Sequence, residues 1–343
     1  MSLPIKPPFL PMEAEPAKEL PVGPEWQYEP KWDGFRCLAF RDGADVQLQS
    51  KSGQPLARYF PELVAALREL KPKRFVLDGE IIIQVKGQIA FDELLMRIHP
   101  AESRIRKLSE AHPAVYAVFD LLVDERGREE YQKPLKERRA KLEQFAADYL
   151  EDNKRVMLSP ATAKLDAARK WLRTMGGGLD GIIAKCLTDR YRTGERAGML
   201  KIKDLRTADC VVGGFRYGQK TKVVGSLLLG LYESDGLLHH VGFTSSIAVA
   251  DRAAVTKKLE ALIEPPGFTG RAPGGPSRWS NRRSDEWQPL KPKLVVEVQY
   301  DHFAGGRFRH GTKLLRWRPD KSPKQCLMAQ VEKESKSPLR LLR

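Results

Sequence analysis

The spacing of apolar positions along the chain changes several times, and each change marks an element. Residues 1–24 hold too many prolines for a helix and read as an extended arm lying over the surface. From Trp26 the alternation is β-like, and 35–40 and 45–49 form strands on either side of Arg41-Asp42-Gly43. Pro61 opens a short helix with Leu63, Leu67 and Leu70 on one face. Residues 75–84 return to period two, with Asp78, Glu80 and Ile82 on one face and Leu77, Gly79, Ile81 and Ile83 on the other. Carboxylates on an otherwise apolar face need a cation or a ligand, unless Asp78-Gly79 is a turn. Residues 115–123 are almost wholly apolar, as in a buried strand, with Phe119 and Asp120 facing opposite ways. Helices follow at 135–150, with Leu135, Leu142, Phe145 and Tyr149 as the apolar stripe, and at 161–175, ended by three glycines. Strands resume at 179–185 and 199–203, separated by a polar loop carrying Tyr191, Gly194 and Arg196.

Past residue 203 the pattern becomes that of a second domain. Strands are expected at 209–215, 226–232, 237–243, 294–300 and 314–317, with one helix at 250–263. Five strands and a helix suit a small barrel of OB type, a fold that often binds nucleic acid. The loop 265–292 sets Trp279 and Trp287 among Arg271, Arg278, Arg282 and Arg283. Its indoles either contact a nucleic acid strand or pack beneath the loop. The boundary falls near 203–207, and 343 residues are enough for two cores.

Charge narrows the partners. The formal net charge is +15, and residues 265–343 hold 17 Lys and Arg against 7 Asp and Glu. Such an excess favours a polyanion, nucleic acid first, over a merely solvated basic surface. No apolar run reaches the roughly 20 residues of a membrane span, and no signal pattern opens the chain, so a cytosolic protein is expected. Cys37, Cys186, Cys210 and Cys326 stand far apart, which argues against a zinc site and for reduced, largely buried thiols.

The chemistry centres on Glu29-Pro30-Lys31-Trp32-Asp33-Gly34-Phe35-Arg36. A lysine amine becomes a nucleophile when nearby cations or desolvation hold it unprotonated. Asp33 is placed to orient it, and Arg36 to grip an oxygen. Lys201 and Lys203, on one face of their strand, suit phosphate. In chain order the segments 31–36, 77–80, 117–122, 180–185, 200–203 and 318–321 resemble the nucleotidyltransferase motifs of ATP-dependent DNA ligases. The resemblance runs from about 26 to 321. With no polymerase or nuclease module ahead of it, the chain is most similar to the short stand-alone bacterial repair ligases of the ligase C type. It departs from the family at Asp180, where glutamate is usual, at Lys51, where arginine is usual, and at Met199, where tryptophan is common.

That resemblance implies an α+β chain: a nucleotidyltransferase (adenylation) domain of antiparallel sheets with flanking helices over 1–203, then an OB-fold β-barrel domain with a basic tail over 204–343. It implies ATP as cofactor, with AMP carried on Lys31. Glu29, Arg36, Lys51, Glu80, Phe119, Lys185, Arg196, Lys201 and Lys203 are implied as nucleotide contacts, and Arg318, Asp320 and Lys321 as a clasp on the outgoing pyrophosphate. Glu80 and Asp180 are implied as ligands of Mg²⁺ or Mn²⁺. The implied partner is nicked double-stranded DNA, with a repair polymerase as a further one, for a monomer at the nucleoid. RNA ligases, GTP-using capping enzymes and a non-catalytic nucleic-acid-binding protein are the competing readings.

Overall fold

The computed structural model describes residues 2–174, 179–219, 221–274, 286–332 and 338–342. The chain divides into two compact units, Met1–Asp204 with Ser335–Arg343, and Leu205–Glu334.

The longer strands of the first unit are β1 (Trp26–Lys31), β2 (Phe35–Asp42), β3 (Asp45–Ser50), β4 (Arg74–Val85), β5 (Ala114–Val123), β6 (Val156–Leu158), β7 (Gly181–Cys186) and β8 (Met199–Lys203). They make two sheets. One has the order β3-β2-β4-β5-β6, antiparallel except at the β5–β6 edge. The other runs β8-β7-β1, antiparallel, with Glu15–Pro16 added in parallel beside β8. Helix α1 (Pro61–Glu69) starts on proline, whose missing N–H costs nothing in a first turn. It buries Leu63 and Leu67 against the first sheet with α4 (Leu135–Tyr149), which contributes Leu142 and Phe145.

The parity of β4 decides where the charges go. Phe75, Leu77, Ile81 and Ile83 enter that core, while Val76 and Ile82 join clusters on the opposite side. Asp78 and Glu80 share this second side, toward the other sheet.

Several parts differ from the sequence expectation. Helices α2 (Phe91–Arg97) and α3 (Glu102–Ala111) fill a stretch where none was expected, and so does β6. Helix α5 (Leu165–Thr174) begins later than 161, because Thr162 exchanges two backbone hydrogen bonds with Tyr28, of 2.8 and 2.9 Å. The arm does not merely lie over the surface: Leu3, Ile5 and Met12 are buried with Leu38, Phe40, Val76 and Leu122. At the other end Leu342 packs with Trp32, Ile82 and Val115. The last residues therefore group with the first unit, which departs from a second domain running on to 343.

In the second unit Phe303–Ala304 with Arg307–Phe308 forms a small separate ribbon. The main sheet has β9 (Arg206–Tyr217), β10 (Val224–Tyr232), β11 (Leu238–Thr244), β12 (Val295–Tyr300) and β13 (Lys313–Trp317), in the order β11-β10-β9-β12-β13. A bridge between Thr244 and Thr312 joins its two ends, as a closed barrel requires. Cys210, Val212, Phe215, Leu227, Leu229 and Val296 fill its interior, and α6 (Arg252–Glu260) lies against β10. Trp287 is half-buried on Phe268, ring centres 5.5 Å apart, so this indole packs. Trp279, Arg278, Arg282 and Arg283 lie outside the described residues. All four cysteines are free. No helix among the described residues is long and apolar enough to cross a membrane.

Burial, reinforced by Arg216, Arg271 and Arg307, pushes the His240 imidazole down to about 4 against an accepted ordinary value near 6.5. The fold therefore holds it neutral while the unfolded chain takes a proton, so its contribution is complete above about pH 6.5 and lost as pH falls toward 4. His240→Gln should flatten the acid limb of the stability profile in urea titrations between pH 6.5 and 4, by about 2–3 kcal/mol at its foot. An unchanged limb would refute this.

Candidate active site

Two close backbone approaches bring the site together. A Cβ on Gly34 would stand 2.1 Å from the Ile81 carbonyl oxygen, so only glycine lets the chain enter β2 across β4. Gly181 has φ +145°, and a Cβ there would stand 2.1 Å from the Ile202 carbonyl oxygen. It pairs with Lys31 across the β1–β7 ladder. That register sets Asp180 beside Lys31: the Asp180 amide donates to the Lys31 carbonyl at 3.0 Å, and the Lys31 Nζ donates to Asp180 Oδ2.

Lys31 lines a cavity of about 210 Å³ between the two sheets, with Glu29, Trp32, Arg36, Lys51, Glu80, Phe119, Ile183, Lys185, Met199 and Lys201. Met12 and Glu13 of the arm complete the wall. Thus Glu29, Lys31, Arg36, Lys51, Glu80, Phe119, Lys185 and Lys201, distant in sequence, meet in one place. Arg196 joins them through Glu13, 2.9 Å from its Nε. Asp180 joins through Lys31. Lys203 ends β8 and is not part of the lining.

Charge pairing organises the interior. Arg36 grips buried Asp78 through Nε and Nη2, both at 2.6 Å, and the Tyr191 hydroxyl donates to the same carboxylate at 2.6 Å. Glu29 accepts from Gln27 at 2.9 Å and stands 2.8 Å from the Lys185 Nζ. That ammonium is within ion-pair distance but not aligned for a hydrogen bond, so its N–H groups remain for another acceptor. The Arg36 and Lys185 cationic groups lie 4.6 and 4.5 Å from the centre of the Phe119 ring. Behind this layer burial pushes the Asp120 carboxyl up, and the Arg138 guanidinium, at 2.8 and 2.9 Å, more than reverses it.

The field inside is uneven. Burial raises Glu80 to about 7, against the pull of Arg36 and Lys31. Lys201 is pushed down, first by burial and then by Lys31, Lys51, Arg196 and Lys203. A row of mutually repelling cations stabilises an anion between them. Among the described residues no three His, Cys, Asp or Glu converge as a metal cage. Glu80, in the lining, and Asp180, on Lys31, are carboxylates, the ligand type of which magnesium commonly takes one or two before completing its shell with substrate phosphates and water.

In the second unit Arg318 and Lys321 meet on Asp209: Arg318 Nη1 is 2.9 Å from Oδ1, and Lys321 Nζ is 2.6 Å from Oδ2. Asp320 accepts from Arg318 at 2.8 Å, which holds its carboxyl down at about 2. Both amide ends of Gln330 anchor the Asp209 backbone, at 2.9 Å each.

Sequence reasoning left Glu13, Asp78, Tyr191 and Asp209 out of the site residues. Asp78 did carry a signal, its shared face with Glu80; the other three had none that separates them from solvated charges or core rings.

A lysine-bearing cleft between two sheets in the first unit, with a five-stranded barrel in the second, is the architecture of a nucleotidyltransferase. Residues 11–203 match the family described as ATP dependent DNA ligase domain, and 220–321 match ATP dependent DNA ligase C terminal region. The chain belongs to the ATP-dependent DNA ligase family. It is 42% identical over 349 residues to DNA ligase C2 of Mycolicibacterium smegmatis, covering 97% of this chain and 96% of that one. It is also 42% identical to DNA ligase C of Mycobacterium tuberculosis, with the same coverage. Among solved structures, one from a study of Lig E DNA ligases has a TM-score of 0.55 at 16% identity, covering 90% of this chain and 99% of that one, a likeness of fold.

Asp78→Ala should leave Arg36 desolvated without a counter-charge. Since Arg36 keeps some contact with water, the expected loss is about 2–3 kcal/mol of unfolding free energy. Urea denaturation measures it, and a loss under about 0.5 kcal/mol would show that the pair does not hold the site.

Proposed function

We propose that this ligase works through Lys31. The observation that carries the reading is the Lys31 amine, held against Asp180 inside a cavity walled by an aromatic ring and a row of cations. Phe119 offers a flat face to the adenine, Glu29 and Lys185 supply a buried acceptor and donor beside it, and Arg36 and Glu80 face the ribose. Lys51, Arg196, Lys201 and Lys203 give the positive field for phosphates. A magnesium ion on Glu80 and Asp180 would neutralise phosphate charge when bound.

The chemistry is three in-line displacements at phosphorus. The Lys31 nitrogen, as the free amine, attacks the α-phosphorus of ATP, a P–N bond forms as one N–H proton passes to solvent, and the P–O bond to pyrophosphate breaks. A terminal 5′-phosphate oxygen at a nick then attacks that phosphorus, releasing the lysine and leaving AMP on the DNA. Finally the 3′-hydroxyl attacks the 5′-phosphorus, its proton is lost, and AMP departs as the phosphodiester forms. Each step asks the protein for alignment and charge stabilisation more than for bond-making groups. Arg318 and Lys321, already gathered on Asp209, are suited to clasp the outgoing pyrophosphate. The basic excess toward the C-terminus suits phosphates of duplex DNA. We assign the protein to nick repair on nucleoid DNA, acting as a monomer.

Two outcomes test the reading. Wild type incubated with ATP labelled in the α-phosphate, magnesium and no DNA should acquire label that Lys31→Ala does not, read on a denaturing gel; label persisting in the variant would refute it. Binding to a nicked duplex should weaken about a hundredfold or more between 50 and 200 mM salt, measured by fluorescence anisotropy. A flat salt response would mean that phosphates do not carry the contact.

A further inference from the structure

The arm does more at the cavity than form a wall. Its path there is fixed by backbone bonds: Phe9 donates to Gln49 Oε1 at 2.8 Å and accepts from Gln49 Nε2 at 2.7 Å, and the Glu13 amide donates to the Glu195 carbonyl at 2.9 Å. This places the Glu13 side chain at the mouth of the cavity. One oxygen, Oε2, lies 2.9 Å from the Lys51 Nζ and 2.9 Å from the Arg196 Nε. Lys51 comes from the turn after β3 and Arg196 from the loop before β8, so two cations far apart in sequence converge on a single carboxylate oxygen. An ionised oxygen between an ammonium and a guanidinium reproduces what one phosphate oxygen would meet there.

We propose that Glu13 is a built-in stand-in for phosphate, occupying Lys51 and Arg196 in the free protein and yielding them when a substrate phosphate arrives. Glu13 then sets the affinity of this mouth for phosphate rather than taking part in the chemistry. The inference rests on the nucleotide-transfer reading above. Two features make the contact displaceable. Lys51 and Arg196 are 56% and 65% exposed, so each ion pair is weak. Glu13 is also held by its backbone, so its side chain can swing aside without unlatching the arm. Neutral pH does not release it, because the hydrogen bond from Lys51 keeps its carboxyl below the usual range. The competing ligand is a phosphate oxygen, and two sources present one: the triphosphate of ATP and the 5′-phosphate of a nick.

Glu13→Gln removes the charge and preserves shape and backbone. In the first arm of the test, Lys31 labelling is followed against ATP concentration for wild type and Glu13→Gln. In the second, Glu13→Gln is placed on a Lys31→Ala background, and binding is measured without metal to nicked duplexes ending in 5′-phosphate or 5′-hydroxyl. The substitution should strengthen apparent affinity by about threefold to tenfold in at least one arm. In the second arm the gain should be confined to the 5′-phosphate. The arm that responds identifies the source of the phosphate. Adding Lys51→Gln should abolish the gain. Unchanged or weaker affinity in both arms overturns the proposal, since weaker affinity would make Glu13 a support for the cations. Wild type that labels normally beside an inert Glu13→Gln sinks only this proposal. Wild type that takes no label from ATP sinks the transfer reading, and this one with it.

Discussion

Charge taken out of water must be answered by other charge, and the first unit is built around that demand. Asp78 is wholly buried on β4 and Glu29 nearly so on β1. Left alone, either would cost several kcal/mol. Arg36 with Tyr191 answers the first, and Lys185 answers the second. Both cations then lie beside Phe119, which fixes the ring as well. The pairs that make burial tolerable are thus also the pairs that shape the cavity.

The residual imbalance gives the site its chemistry. Burial leaves Glu80 raised to about 7 despite Arg36 and Lys31, and it lowers Lys201 together with the repulsion of the neighbouring cations. A cleft whose charges are incompletely matched is one that gains from a charged ligand. The mouth behaves differently, since Glu13 there supplies an anion of the protein's own. In the second unit Asp209 does something similar for Arg318 and Lys321, holding two cations ready on one carboxylate.

How much of this was legible varied with range. The strands of β2, β4 and β5 showed in their period, and β4 also showed which face Asp78 and Glu80 take. All five main strands of the barrel were legible for the same reason. Helices α2 and α3 were not, because they are short and lie between a turn at Gly87 and the start of β5, and α3 carries only Ile105 and Leu108 as large apolar residues. The start of α5 was misplaced because a pairing with Tyr28, more than a hundred residues away, holds Thr162 extended. The arm was legible as proline-rich and extended, but not as buried, since only tertiary contacts show what Leu3 and Ile5 meet.

By itself the sequence determined the element periods, the two-domain pattern, the basic excess and the order of the motif segments, because these depend on near neighbours and composition. The tertiary structure alone decided that Arg36 would grip Asp78, that Asp180 would meet Lys31, that Glu13 would bridge Lys51 and Arg196, and that Asp209 would gather Arg318 and Lys321. Each of these joins residues separated by tens to hundreds of positions, or from elements whose register is set by packing. Strand register and backbone crossings such as those at Gly34 and Gly181 determine which charges meet. No local pattern encodes those distances.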